Sequence, residues 1–137
     1  MSKLKKTKFE PKLKTLTDKL WGIVRKKVFK QYGKNCYTCP QTNLKGINLQ
    51  CGHGYSKGAL GVTMQYDIRI LRPQCYNCNL RYGGMGAVFW KRLETDLGKK
   101  EADLLYAECK KSKGLGIKAR PFIKELIKKY EPPNQKP

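Results

Sequence analysis

Histidine is almost absent from this chain: among 137 residues there is one, His53. Acidic residues are scarce as well, 10 against 30 lysines and arginines. No apolar run approaches the roughly 20 residues that cross a bilayer, which excludes a membrane-spanning helix. The N-terminus, Met1-Ser2-Lys3-Leu4-Lys5-Lys6, is basic but has no apolar stretch behind it, so it does not read as a signal peptide. Neither end shows a basic amphipathic helix with a strong aromatic face, which argues against a membrane surface. The expected compartment is the cytosol, where thiols stay reduced and paired cysteines serve metals rather than disulfides. Internal repeats are lacking too. The length fits one domain, and 39% hydrophobic residues support only a modest core that gains from a metal staple.

What is present in excess is positive charge, +20 overall. Residues 1–35 hold 12 basic and 2 acidic residues and residues 110–137 hold 9 and 2, whereas the middle holds 9 and 6. Two basic ends flanking a nearly balanced centre fit a polyanion binder, because neutralising phosphates releases condensed counterions. A merely solubilising surface does not need this much charge. Nucleic acid is the expected partner.

Residues 1–14 read as a flexible basic arm, with six lysines, Pro11 and no apolar period. From Thr17 the spacing of Leu20, Val24 and Val28 predicts a helix with one buried stripe, capped by Thr17 and closed by Gly33. Its other face carries Lys26 and Lys27. Gly46 supplies a turn, and residues 47–51 alternate as a half-buried strand would. The glycine-rich stretch 54–66 reads as a mobile loop able to approach a phosphate backbone. Residues 67–71 alternate again as the return strand, which Arg72-Pro73 should end. Met85, Phe89, Leu93 and Leu97 predict a helix stopped by Gly98, its start blurred by Gly83-Gly84. A second helix over about 99–111 places Ala102, Leu105 and Cys109 on one face. Lys110 to Gly114 reads as a linker, and a third helix opens at Pro121 and ends before Pro132-Pro133.

The chemistry concentrates in the middle. Cys36-Tyr37-Thr38-Cys39 and Cys75-Tyr76-Asn77-Cys78 have the spacing by which two tight turns grip one tetrahedral zinc. A redox pair is the rival reading, but the context of a thioredoxin-type motif is lacking. Cys51 and Cys109 read as inert buried thiols. His53 lies between the halves of the zinc site, after a strand and before the glycine-rich stretch. A lone histidine is often only packed or solvated, but here a neutral imidazole could take a proton from water. Asn79, held directly behind the last cysteine, could offer its amide oxygen to a divalent cation.

Cys-x-x-Cys, a strand ending in His, a return strand and Cys-x-x-Cys-Asn together resemble the HNH, or ββα-metal, nucleases built on a zinc treble clef. More narrowly, Leu49-Gln50-Cys51-Gly52-His53, Tyr66-Asp67, Arg72-Pro73-Gln74-Cys75-Tyr76-Asn77-Cys78-Asn79 and Gly83-Gly84 are similar to the phage NinG (Rap) recombination family, over about Leu16 to Gly116. Phage endonuclease VII is a looser parallel. The resemblance implies a structure-selective endonuclease acting on branched DNA such as Holliday junctions and D-loops, in the cytoplasm of a bacterial host. It implies His53 as general base and Asn79 as ligand to a catalytic Mg²⁺ or Mn²⁺. Asp67 would be a further ligand if the hairpin turned it inward. The sequence departs from the pattern at Gly52, where many HNH enzymes carry an acid, at Ile70, where an Asn is expected, and at Met85, which replaces the Asn after Gly-Gly.

The expected architecture is α+β: a zinc-bound treble clef of ββα type within a mostly helical small domain with basic tails. Its parts are a basic arm over 1–14, the zinc-stapled HNH-like domain over 15–116, and a C-terminal basic helix and tail over 117–137. Candidate DNA contacts are Lys26, Lys27, Lys57, Arg69, Arg72 and Arg81. Cutting two strands takes two active sites, which a homodimer would supply. Two alternatives remain: a weak or inactive zinc module that binds branched DNA or RNA, and a structural RNA-binding zinc protein. Ile70 and Gly52 favour the former; either accounts for the charge.

Overall fold

The structure, a computed structural model, describes residues 10–131. Five helices surround a two-stranded antiparallel sheet, so the domain is mostly helical, as the patterning predicts. The residues of the basic arm up to Phe9, and the tail from Pro132, lie outside the described part.

Helix α1 (Leu13–Tyr32) starts a turn earlier than the Thr17 cap predicts, because Leu16 already belongs to its apolar stripe. Thr17 instead donates its hydroxyl hydrogen to the Lys14 carbonyl within the helix, at 2.9 Å. Leu20, Val24 and Val28 are fully buried, each stabilising the fold by roughly 1.5–3 kcal/mol. They meet Ile123 and Ile127 of α5 (Ala119–Tyr130) together with Cys51, Tyr66 and Leu71. The C-terminal helix is therefore a wall of the core. Ion pairs Lys124–Glu10 at 2.8 Å and Lys19–Glu131 at 2.7 Å lie along this packing.

The strands β1 (Gln50–His53) and β2 (Leu71–Gln74) pair with Gln50 opposite Gln74, Gly52 opposite Arg72 and His53 opposite Leu71. Both begin about three residues later than the alternation predicts. Gly46–Asn48 and Ile68–Ile70 curl into single 3₁₀ turns, the second capped by Asp67, whose carboxylate accepts from the Arg69 backbone. Pro73 sits inside β2 rather than ending it. In a sheet of two strands each strand has a free edge, so the missing N–H breaks no ladder there.

Residues 54–66 are not the irregular loop their glycines predict. They form a 3₁₀ turn and the short helix α2 (Val62–Gln65), with Leu60 and Met64 buried against Ile70, Leu105 and Cys109. Gly61 is there for packing: a Cβ on it would stand 2.2 Å from the Ser112 carbonyl oxygen. Ile70 is a fully buried core residue, which accounts for an apolar side chain at that position. Helix α3 (Gly86–Leu97) buries Phe89 and Leu93, and α4 (Lys99–Ser112) buries Ala102, Leu105 and Cys109 as predicted. Helix α4 also absorbs the first residues of the expected linker. No helix among the described residues is long and apolar enough to cross a membrane.

Candidate functional site

Two tight turns bring four thiols together. The first follows α1, where the Cys36 N–H donates to the Gln41 carbonyl; the second continues from β2 into one wide turn over Asn77–Arg81. The Cys75 N–H donates to Cys36 Sγ at 3.3 Å and the Cys78 N–H to Cys75 Sγ at 3.4 Å, so backbone dipoles already face the sulfurs. All four sulfurs lie within 4.8 Å of one another, and Cys39 and Cys75 are 3.7 Å apart. A tetrahedral zinc with bonds near 2.3 Å requires sulfurs about 3.8 Å apart, so the cluster fits a structural zinc. Burial raises the Cys36 thiol, but hydrogen bonds from the Cys75 and Thr38 backbones outweigh it and bring Cys36 down to about 6. Burial and the neighbouring thiols push Cys78 up to about 12. The Cys36 charge thus adds to what opposes ionisation of Cys78. Cys51 and Cys109 lie elsewhere, buried, with thiols pushed up to about 12 by desolvation, as expected of inert residues.

Beside this cluster a cavity of about 710 Å³ opens between α1, the sheet and the wide turn. His53 and Asn79 both line it, joined by Trp21, Arg25, Gln50 and Lys57. His53 is held on two sides. Its ring stacks on Trp21 with centroids 5.3 Å apart and planes 4° from parallel. Its Nε2 lies 2.8 Å from the Gln65 carbonyl oxygen, an atom that can only accept, so in the neutral ring Nε2 carries the hydrogen. Nδ1 is left as the basic nitrogen. Burial, and to a lesser degree the Lys57 charge, hold the imidazole below its usual pKa, so it is neutral at physiological pH. Asn79 donates from Nδ2 to Gln50 Oε1 at 3.2 Å, which leaves its Oδ1 available.

Several expected site residues are placed elsewhere. Asp67 does not turn inward: its carboxylate accepts from the Arg69 backbone and guanidinium, and it lines a separate cavity with Tyr32, Tyr66 and Tyr130. No carboxylate lines the His53 cavity among the described residues. Arg72 is not a surface contact either, being 3% exposed. Its guanidinium donates to the carbonyls of Ile68, Arg69 and Leu71 and lies 3.9 Å from the Tyr32 ring centre. Arg72→Lys, which keeps the charge but loses the planar fork, should lower stability by about 2 kcal/mol or more. A lower denaturation midpoint is the expected result.

Among the other basic candidates, Lys57 is exposed at the cavity rim and Arg81 is exposed on the wide turn. Lys26 is exposed on α1, and Lys27 lies over the Tyr130 ring at 5.0 Å. Arg69 is ion-paired with Asp67 and Glu108, away from the cavity. Sequence reasoning missed Arg25, one turn beyond Trp21 on the same helix face, which lines the cavity while donating to the Leu49 carbonyl.

Gly52 is explained by what faces it. A Cβ there would stand 1.7 Å from Gln74 Oε1, and that amide donates to Thr38 and to the Gly84 carbonyl. Gly52→Ala should displace Gln74 and cost about 1–3 kcal/mol, read as a lower denaturation midpoint.

Compared with protein-family models, curated proteins and solved structures, the chain shows no match.

Proposed function

We propose that the chain is a metal-dependent, structure-selective DNA endonuclease of HNH-like type, folded around a zinc bound by Cys36, Cys39, Cys75 and Cys78. The observation that carries this reading is the oriented His53, with Nε2 donated to a backbone carbonyl and Nδ1 left basic, in one cavity with the Asn79 amide oxygen. This is what hydrolysis of a phosphodiester asks of a protein: a base of suitable pKa, fixed in tautomer, beside a ligand for a hard cation.

Arg25 and Lys57 supply positive charge on the walls, where a phosphate would dock. His53 Nδ1 takes the proton of the attacking water. The Gln65 carbonyl fixes the ring and stabilises the imidazolium that results, while Trp21 holds its plane. Asn79 Oδ1 would hold a Mg²⁺ or Mn²⁺ ion. Such an ion, when bound, neutralises charge developing on the phosphate and the leaving oxygen. The resemblance to the NinG recombination family supplies the substrate class, branched DNA of the Holliday-junction or D-loop kind, in a bacterial cytoplasm. A homodimer would provide the second site for a second strand.

The absence of a carboxylate among the described residues of the cavity wall favours a second reading, a zinc module that binds branched DNA or RNA without cutting it. A cleavage assay on a four-way junction with and without Mg²⁺ decides. Metal-dependent nicking near the branch point supports the nuclease; tight binding without cleavage in any divalent metal removes it.

A further inference from the structure

Gln50 and Asn79 line the His53 cavity, and Gln74 lies buried behind Gly52; all three side-chain amides are fixed in orientation. Gln50 donates from Nε2 to the Ile47 carbonyl, so its Oε1 faces Asn79 and accepts from Asn79 Nδ2. Gln74 donates from Nε2 to the Gly84 carbonyl and to Thr38 Oγ1, both at 2.9 Å. A backbone carbonyl cannot donate, so neither glutamine can be turned over. Two oxygens are left, Asn79 Oδ1 and Gln74 Oε1. Both lie within 3.1 Å of one point, the place where a side chain on Gly52 would begin.

Gln74 is fully buried, and its Oε1 has no hydrogen-bond donor among the described residues. A buried acceptor left in that condition costs about 1–3 kcal/mol. Asn79 Oδ1, the negative end of a second amide dipole, shares the same neighbourhood beside Gly52. Apart from the chain neighbours of Gly52, the atoms nearest that point among the described residues are Gln74 Oε1 and Cδ and Asn79 Oδ1, and residue 52 has no side chain to offer either oxygen a donor.

We infer that Gln74 Oε1 and Asn79 Oδ1 form a two-oxygen site for a hard divalent cation, with Gln74 reaching across the sheet into the space that Gly52 leaves. The inference deepens the nuclease reading by naming a second protein ligand. Oxygen-only donors select Mg²⁺ or Mn²⁺ over softer metals. Two neutral amides bind such an ion weakly, and Mg²⁺ ordinarily keeps several waters and takes phosphate oxygens as further ligands. The site therefore binds the ion weakly by itself, within the millimolar range, and more tightly when a phosphodiester in the cavity adds its oxygens. Glycine at 52 and glutamine at 74 belong together: an acid at 52 would occupy the space of the Gln74 amide.

Mn²⁺ titrated into the zinc-loaded protein tests this without any cleavage. In the wild-type spectrum, substoichiometric Mn²⁺ should broaden the side-chain amide resonances of Gln74 and Asn79 before those of other glutamines and asparagines. Gln74→Ala should weaken Mn²⁺ affinity by about 10-fold or more, with zinc content unchanged. Gly52→Asp combined with Gln74→Ala should restore it, because the new carboxylate grows from the point both oxygens face. A Gln74 resonance that persists while others broaden overturns the inference, as does wild-type affinity in Gln74→Ala or no Mn²⁺ binding into the millimolar range. Mn²⁺ bound at these amides without cleavage of any junction leaves the site standing and removes the nuclease reading. Metal-dependent cleavage with unchanged Mn²⁺ affinity in Gln74→Ala does the reverse.

Discussion

A strong chelator should unfold the sheet and the segment around the four cysteines, releasing about one zinc per chain. The reason is what the cluster is made of. Its buried members are Cys36, Leu44, Cys75 and Cys78, so one leucine is the only aliphatic side chain fully inside it. Four sulfurs within 4.8 Å cannot all ionise without a counter-cation, and four neutral thiols bury too little apolar surface to hold two turns together. Structural zinc contributes about 10–16 kcal/mol in small zinc-finger peptides, comparable to the whole stability of a typical domain. The loss should spread through β2, since Leu71 packs in the α1–α5 core while Cys75 follows the strand directly. Cys36→Ser with Cys75→Ser should reproduce the chelated state. Circular dichroism and metal analysis check this. A metal-free chain with unchanged melting, or zinc retained by the double variant, would remove the staple from the account.

Where the sequence was legible, one element at a time carried the signal. The two Cys-x-x-Cys pairs are local turns, and the stripe Leu20–Val24–Val28 is a local period, so both survive into the structure as read. The strands are placed imprecisely because four-residue strands leave too little alternation to fix a boundary, and because 3₁₀ turns at Gly46–Asn48 and Ile68–Ile70 mimic it. Residues 54–66 look like a loop because three glycines outweigh the i, i+4 pair Leu60 and Met64, whose partners on α4 are some forty residues away. Arg72 looked like a phosphate contact because nothing local reveals that Tyr32 and three carbonyls enclose it. Asp67 looked like a ligand for the same reason: an acid beside an arginine two residues on can close a turn instead. His53 and Asn79 stand out by their places beside the cysteine pairs, and the resemblance adds their joint roles. The carbonyl of Gln65, the Trp21 stack and the cross-strand reach of Gln74 are tertiary facts that no spacing encodes.

His53→Ala should slow junction cleavage by ~10²-fold or more, the usual contribution of a positioned general base. Zinc content and junction binding should stay near wild type, since the imidazole is outside the cysteine cluster. His53→Gln is the sharper control, because an amide can still donate to the Gln65 carbonyl but cannot take the proton. The pH profile carries a second expectation. Burial holds the imidazole below its usual value of 6.5, so for the free protein the acidic limb of kcat/KM should fall below that pH. Stability should follow the same sign: the unfolded chain takes up a proton that the folded chain refuses, so the His53 contribution is complete above 6.5 and declines as pH falls toward the lower folded value. Because the chain holds one histidine, its ring resonance titrates without overlap and gives the folded value directly. A ring pKa above 6.5, or His53→Ala cleaving as fast as wild type, would take the base role from His53 and leave the cavity to the binding module.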